Sequence, residues 1–473
     1  MLKSEDGYNR QNIIKLSWPA MMRLVFQTLT GIVTLIIIGR LGKESIAAVG
    51  MANRVIFLVI GTFSALTVGT TAIVAHYIGA GDQEGAQKTL CQSLLLSLPI
   101  GVVLMFAGML WSDDAIALLL FTKPDAAVIK LGGLYLQYVI YSMLLGLPMM
   151  MINAALQGAG DMKTPMYLLI GVNSVNLIGG IILVYGLGPF PRLELKGAAI
   201  ASAVSNVIGG IATLLWITRK NAAISIHGLT KSRRYHDEVP ITSGQASNRF
   251  RPSWDAIKQI LDISIPASGE QLVQQSSLII YTMLIAGLGT VVIAANQITM
   301  NIQSLSMMIG FGFSLAATTL VGQSLGAKKP DLASRYGKEC TFIGTVLMGI
   351  MGVVIFVFAS PLARLYTTEA DVSRLATICV RINAFAQIPF SIVMVLAGAL
   401  RGAGDTRYVM YITIVGQWCI RLLLAYILGF VLGYGLPGVW VAMLIDVIVR
   451  SVLVWLRYKR GRWMELIKLE SIK

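Results

Sequence analysis

Apolar residues run in long blocks along nearly the whole chain, from Trp18 to Lys459, broken only by short groups of charged residues, Gly or Pro. A helix needs about 20 residues to cross a hydrocarbon core roughly 30 Å thick, and the blocks reach that length. They predict twelve helices, near 13–39, 47–78, 87–111, 126–156, 165–186, 197–219, 257–288, 291–325, 333–359, 372–400, 408–429 and 438–458. Strands of a transmembrane barrel would alternate polar and apolar residues instead. The expected fold class is an all-α polytopic membrane protein with twelve transmembrane helices.

The chain also repeats itself. Pro19 aligns with Pro266, Gly42 with Gly289, Thr71 with Thr318 and Gly79-Ala80 with Gly326-Ala327, each pair 247 residues apart. Further on, Leu156-Gln157-Gly158-Ala159-Gly160-Asp161 matches Leu400-Arg401-Gly402-Ala403-Gly404-Asp405 at 244, and Gly197 matches Gly438 at 241. Differences in loop length account for the drift. Six helices separate the copies, so both have the same orientation, as in transporters built from parallel repeats. The expected organisation is a six-helix lobe over 1–219, a cytoplasmic linker over 220–256 and a second six-helix lobe over 257–473 with a basic tail. Ser253 reads as the N-cap of a short interfacial helix carrying Trp254, Ile257 and Leu261 on one face.

Composition narrows the class. The chain is 56% hydrophobic and 13% charged, against about 25% charged in soluble domains. A net charge of +15 could suggest a nucleic-acid partner, but 25 Lys and Arg fall in the even-numbered connections and tails and 8 in the odd-numbered ones. That bias orients a membrane protein, placing both termini and the linker in the cytoplasm of a bacterial or archaeal cell, and excludes nucleic acid as the explanation. A lipid-binding surface around Arg457–Arg462 is the alternative for one basic group. Cys91, Cys340, Cys379 and Cys419 lack metal or disulfide spacing. His76, His227 and His236 are the only histidines, and no phosphate-binding Gly loop is present. No cofactor, metal or catalytic residue is expected, which weakens the reading as a membrane-embedded enzyme.

Ionisable groups in mid-span are costly and therefore mark function. Of 23 acidic residues only Glu270 and Asp446 fall there, with Arg23, Arg54, Arg381, Arg421 and Arg450. Asp446 has Arg450 one turn later, the spacing of an intrahelical pair; it is the secondary candidate. Glu270 shares its helix face with Gln274 and Ser277 and with no basic residue. A carboxyl group there either holds a proton, attracts Na⁺ beside amide oxygens, or sits neutral in a helix interface. Met143, Met149–Met151, Met300, Met307 and Met308, with Phe26, Tyr141 and Tyr281, suit a promiscuous apolar site or ordinary membrane packing.

The doubled LQGAGDMKTP (156–165) and LRGAGDTR (400–407), with GRLG (39–42), YIGAGD (77–82), SLGAKKPD (324–331), Asn173-x-x-Asn176 before KGAAIA (196–201), and GRW (461–463), resemble the multidrug and toxic compound extrusion (MATE) family over nearly the whole chain. The resemblance implies two six-helix lobes and an antiporter, monomeric, that exports organic cations and other amphipathic drugs in exchange for H⁺ or Na⁺, with membrane lipid as its surroundings. A lipid-linked oligosaccharide flippase of the same superfamily is the alternative. Gly158, Gly160, Gly402 and Gly404 permit tight turns, and Asp161 and Asp405 can cap the helices that follow. One branch of the family carries N-lobe aspartates where this chain has Thr34 and Gly180, leaving Gln27, Thr34, Asn173 and Asn176 as a neutral polar cluster. Another pairs a seventh-helix Glu with a tenth-helix Asp; here Glu270 matches the former, and the tenth helix offers Arg381, Asn383 and Gln387 as polar cavity residues but no acid.

Overall fold

The computed structural model describes residues 9–119, 126–218 and 252–466. The termini and nearly all of the expected linker, with Ser243, His227 and His236, lie outside them. Among the described residues the chain is helical throughout: α1 (Arg10–Gly39), α2 (Lys43–Gly79), α3 (Gln83–Leu119), α4 (Ala126–Gly158), α5 (Lys163–Tyr185), α6 (Glu194–Ile217), α7 (Trp254–Ala286), α8 (Thr290–Gly326), α9 (Pro330–Val357), a short α10 (Ala359–Tyr366), α11 (Ala370–Gly402), α12 (Thr406–Val431) and α13 (Gly435–Lys459). Eleven of these are long and apolar enough to cross a membrane. The remaining long helix, α7, carries Asp255, Lys258, Asp262, Glu270 and four glutamines within 33 residues.

Two expectations are corrected. α3 runs through Ser112, Asp113 and Asp114 to Leu119 rather than ending near 111; both aspartates are exposed on this last stretch, where Gly133 of α4 leaves room for the Asp113 side chain. No separate interfacial helix follows Ser253: α7 is continuous from Trp254 through Pro266.

Contacts divide the chain into two compact units, Met22–Asp262 and Ile263–Lys473 joined by Met1–Met21. The first turns of α1 thus belong to the C-terminal unit, where Asn9 N donates to Tyr336 Oη at 3.1 Å and Arg10 lies 3.6 Å from Glu339. The first turns of α7 correspondingly belong to the N-terminal unit, where Ser253 N donates to Gln92 Oε1 at 3.1 Å.

Within the N-terminal unit α4 is the central helix, packed by α2, α3 and α6; in the C-terminal unit α11 holds that place, packed by α8, α9 and α13. Both centres are built on one device. A Cβ on Gly158 would collide with the Thr71 carbonyl and one on Gly402 with the Thr318 carbonyl, so two helix backbones touch in each unit. The hydroxyls complete the crossing: Thr71 Oγ1 donates to the Ala154 carbonyl at 3.0 Å, and Thr318 Oγ1 to the Gly398 carbonyl at 2.8 Å. Small residues at helix crossings allow this approach in a membrane, where apolar burial alone cannot drive association. The turn itself uses the next glycines, Gly160 (φ 86°) and Gly404 (φ 81°), which occupy left-handed backbone that favours glycine.

Candidate functional site

The close contact at Gly402 fixes the last turn of α11, and with it Arg401. On α7, Gly269 leaves room for the Met410 sulfur, which draws α12 against α7 beside Glu270. These approaches assemble a four-residue cluster. Glu270 is 3% exposed. Arg401 grips it at two points, with Nη2 2.6 Å from Oε1 and Nε donating to Oε2 at 3.3 Å. Gln274 Nε2, one turn along α7, donates to Oε1 at 3.2 Å, and Thr413 Oγ1 of α12 to the same oxygen at 3.5 Å.

A second cluster lies deeper. Asp446 of α13 is fully buried. Arg450, one turn on, donates through Nε to Oδ1 at 2.8 Å and through Nη2 to Oδ2 at 2.9 Å. Arg421 of α12 donates through Nε to Oδ2 at 2.9 Å, with Nη2 2.7 Å from the same atom. Residues Val415–Leu422 of α12 form π-helical turns, a widening that recurs at functional sites and here carries Arg421. Gly416 in that stretch leaves the space occupied by Arg450 and Asp446. The Tyr281 ring lies 6.0 Å from the Arg421 guanidinium, within cation–π range.

Both clusters border one cavity of about 430 Å³ inside the C-terminal unit. Its wall combines Glu270, Arg401, Arg421 and Arg450 with Met300, Met307, Met394, Met443, Phe311, Phe390 and Trp440. Apolar, soft walls with a few converging polar groups are what a small-molecule site requires, and the volume lies in the usual range.

The other residues singled out in the sequence are dispersed. Asn383 and Gln387 are buried on α11, outside the cavity wall, and neither amide atom of Asn383 has a hydrogen-bond partner among the described residues. Arg381 turns away from them: it is exposed, 5.7 Å over the Phe356 ring. In the N-terminal unit Asn176 Nδ2 donates to Ser202 Oγ at 3.2 Å. Gln27 is exposed and Thr34 half-buried on α1, and among the described residues no hydrogen bond joins either to Asn173 or Asn176. Asp161 Oδ1 accepts from Lys163 N at 3.2 Å and Thr164 N at 3.0 Å, capping α5. Asp405 instead binds Arg457 Nε at 2.7 Å. Asp446 and Arg450 do form the intrahelical pair their spacing predicts, but Arg421 makes it a triad.

Arg401 is the residue that sequence reasoning missed. It sits inside the repeated turn motif and counts there as a loop charge, yet it is the one position where the two copies differ, Gln157 in the first and Arg401 in the second. That substitution within an otherwise identical hexapeptide was the available signal.

The MatE family model matches the chain twice, over residues 19–182 and 266–427, each match beginning at the equivalent proline, Pro19 or Pro266. The chain belongs to the MatE family. Its relatives include a "Probable multidrug resistance protein NorM" of Thermotoga maritima, 29% identical over 98% of this chain and 94% of the relative. An "Uncharacterized transporter YisQ" of Bacillus subtilis is 27% identical over 96% of this chain and 95% of the relative. Among solved structures, the outward-facing conformation of a multidrug resistance MATE family transporter superposes with TM-score 0.84 at 23% identity, covering 95% of each chain. A MATE crystal structure in the bent conformation gives TM-score 0.85 at 23% identity, covering 97% of this chain and 96% of the other. This MatE protein is thus an integral membrane transporter of two six-helix lobes, and the family match favours that reading over the flippase.

Proposed function

We propose that this MatE protein is a cation-coupled antiporter that exports small amphipathic compounds by alternating access, and that Glu270 carries the coupling ion. The supporting observation is the Glu270–Arg401 pair: a carboxylate 3% exposed, bordering a cavity, held by a guanidinium from a different helix at 2.6 Å. Arg401 already occupies both oxygens, so H⁺ or Na⁺ acts by exchange for it. Loading Glu270 removes the charge that ties α7 to α11; unloading restores the tie. Ion and substrate then favour different arrangements of the helices, which is sufficient for antiport. Thr413 Oγ1 is the oxygen beside Glu270 for a Na⁺ ion, whose ligands are hard oxygens, and Gln274 offers Oε1 once its amide turns over. The relatives' names as multidrug resistance proteins support export of drugs.

The experiment is gradient-driven substrate accumulation in proteoliposomes. Glu270→Gln keeps the shape but removes the charge and the ability to titrate. Substrate binding within about tenfold of wild type with loss of accumulation against the gradient is expected; accumulation at the wild-type level would reject Glu270 as the coupling residue. Basic-residue asymmetry further supports cytoplasmic termini and linker. A single cysteine replacing Ser243 in a cysteine-free background should resist an impermeant thiol reagent in intact cells, and labelling at the rate of an external-loop control would reverse the orientation.

A further inference from the structure

We infer that the C-terminal cavity of this protein binds amphipathic compounds through an acidic group, a carboxylate, sulfonate or phosphate, docked against Arg421 and Arg450. The inference rests on the transporter reading above and names the substrate class for its cavity.

Charge bookkeeping carries it. The charged groups of the wall are three guanidiniums, Arg401, Arg421 and Arg450, and one carboxylate, Glu270. Asp446 lies behind Arg421 and Arg450, fully buried. Counting it, three positive charges face two negative ones, and both carboxylates are already engaged: Glu270 by Arg401, Asp446 by two arginines at once. The wall therefore offers an incoming organic cation no free anion, and it holds one positive charge without a counter-charge. An uncompensated charge in a low-dielectric wall is costly, and an acidic headgroup neutralises it. Guanidinium is also the side chain suited to gripping two oxygens of one oxyanion, because its N–H groups form a rigid fork. Each of the two arginines uses only Nε and Nη2 toward Asp446, so its Nη1 is not committed to the carboxylate.

The rest of the cavity fits the rest of such a molecule. Met300, Met307, Met394 and Phe390 present a soft apolar surface, with Trp440 beside them. Arg421 lies eight residues beyond Thr413 on α12, about two turns farther along a helix that is π-helical over most of that stretch. Headgroup and coupling ion therefore use different ligands, and the site does not require Glu270 to be vacated.

The test is equilibrium binding to the purified full-length protein in detergent, which needs no ion gradient and so is independent of whether Glu270 couples transport. Isothermal titration compares 2-naphthalenesulfonate with 2-naphthalenesulfonamide, the same ring system without the charge, and with ethidium as a cation. The sulfonate should bind at least tenfold tighter than the sulfonamide. Equal affinity, or tighter binding of ethidium, overturns the inference. Arg421→Gln removes the surplus charge while leaving Asp446 paired with Arg450, and should erase the sulfonate preference; a preference that persists in a variant melting within a few degrees of wild type also overturns it. If Arg421→Gln does not fold, the wild-type sulfonate-to-sulfonamide comparison decides. Chloride separates an organic from an inorganic occupant: sulfonate binding that survives exchange of gluconate for chloride supports the inference, whereas its complete loss assigns the surplus charge to chloride and rejects the organic acid.

Discussion

The two units share a framework and differ in where they bury charge. Each crosses two helices at a Gly–Thr contact, turns on a left-handed glycine and packs three long helices on a central one. Yet among the described residues every buried acidic or guanidinium side chain, Glu270, Asp405, Arg421, Asp446 and Arg450, lies in the C-terminal unit. At the 247-residue offset Glu270 is answered by Arg23 and Gln274 by Gln27; at 244 Arg401 is answered by Gln157; at 241 Asp446 and Arg450 are answered by Ser205 and Gly209. Duplication preserved what folding in a membrane requires, backbone approach and turn geometry. The ionisable groups, which cost stability and bring function, are concentrated in one copy.

The comparison breaks most visibly at the triad. Asp446→Ala leaves Arg421 and Arg450 buried with no carboxylate, at a cost of about 3–5 kcal/mol, whereas Ser205→Ala removes one hydroxyl hydrogen bond worth about 1 kcal/mol. Thermal unfolding of the two purified variants should show that asymmetry; similar losses would mean the triad is not a buried electrostatic unit. The shared framework should respond evenly. Gly158→Val and Gly402→Val each force a side chain against a facing carbonyl and should each cost about 1–3 kcal/mol. If one is tolerated and the other abolishes folding yield, the two crossings are not equivalent. The smallest difference concerns the turns' aspartates. Asp161→Asn retains an acceptor for the Thr164 N–H and should shift stability by less than about 0.5 kcal/mol. Asp405→Asn gives up the ion pair with Arg457, 16% exposed in its side chain, and should lose about 1–2 kcal/mol, read from the same melts.

Much of this architecture is legible along the chain because eleven of the long helices are apolar over a membrane-spanning length and because Pro19, Gly42 and Thr71 recur at a fixed offset. Boundaries failed where charge did not mean the end of a helix, as at Asp113 and Asp114, which are exposed yet lie within α3. The site was legible by half. Glu270 and Gln274 stand out as polar residues one turn apart on an apolar helix, and Asp446–Arg450 follows from spacing alone. Arg401, Arg421 and Thr413 come from other helices, and no local pattern states that α11 and α12 deliver them to the same two carboxylates. Arg381, Asn383 and Gln387 show the converse limit: they are close in sequence on one helix, but the helical turn sends Arg381 to the exposed side and buries the amides.

The central claim, that the C-terminal unit alone carries the coupling charge and that Glu270 is its carrier, is tested most directly by ion release. Purified protein in weakly buffered detergent solution, loaded with H⁺ or Na⁺, is mixed with substrate while a pH electrode and a Na⁺ electrode record the bulk. Wild type should release one of the two ions on substrate addition, and Glu270→Gln, still binding substrate, should release neither. Ion release from Glu270→Gln equal to that of wild type would contradict the claim and move the coupling charge elsewhere in the chain.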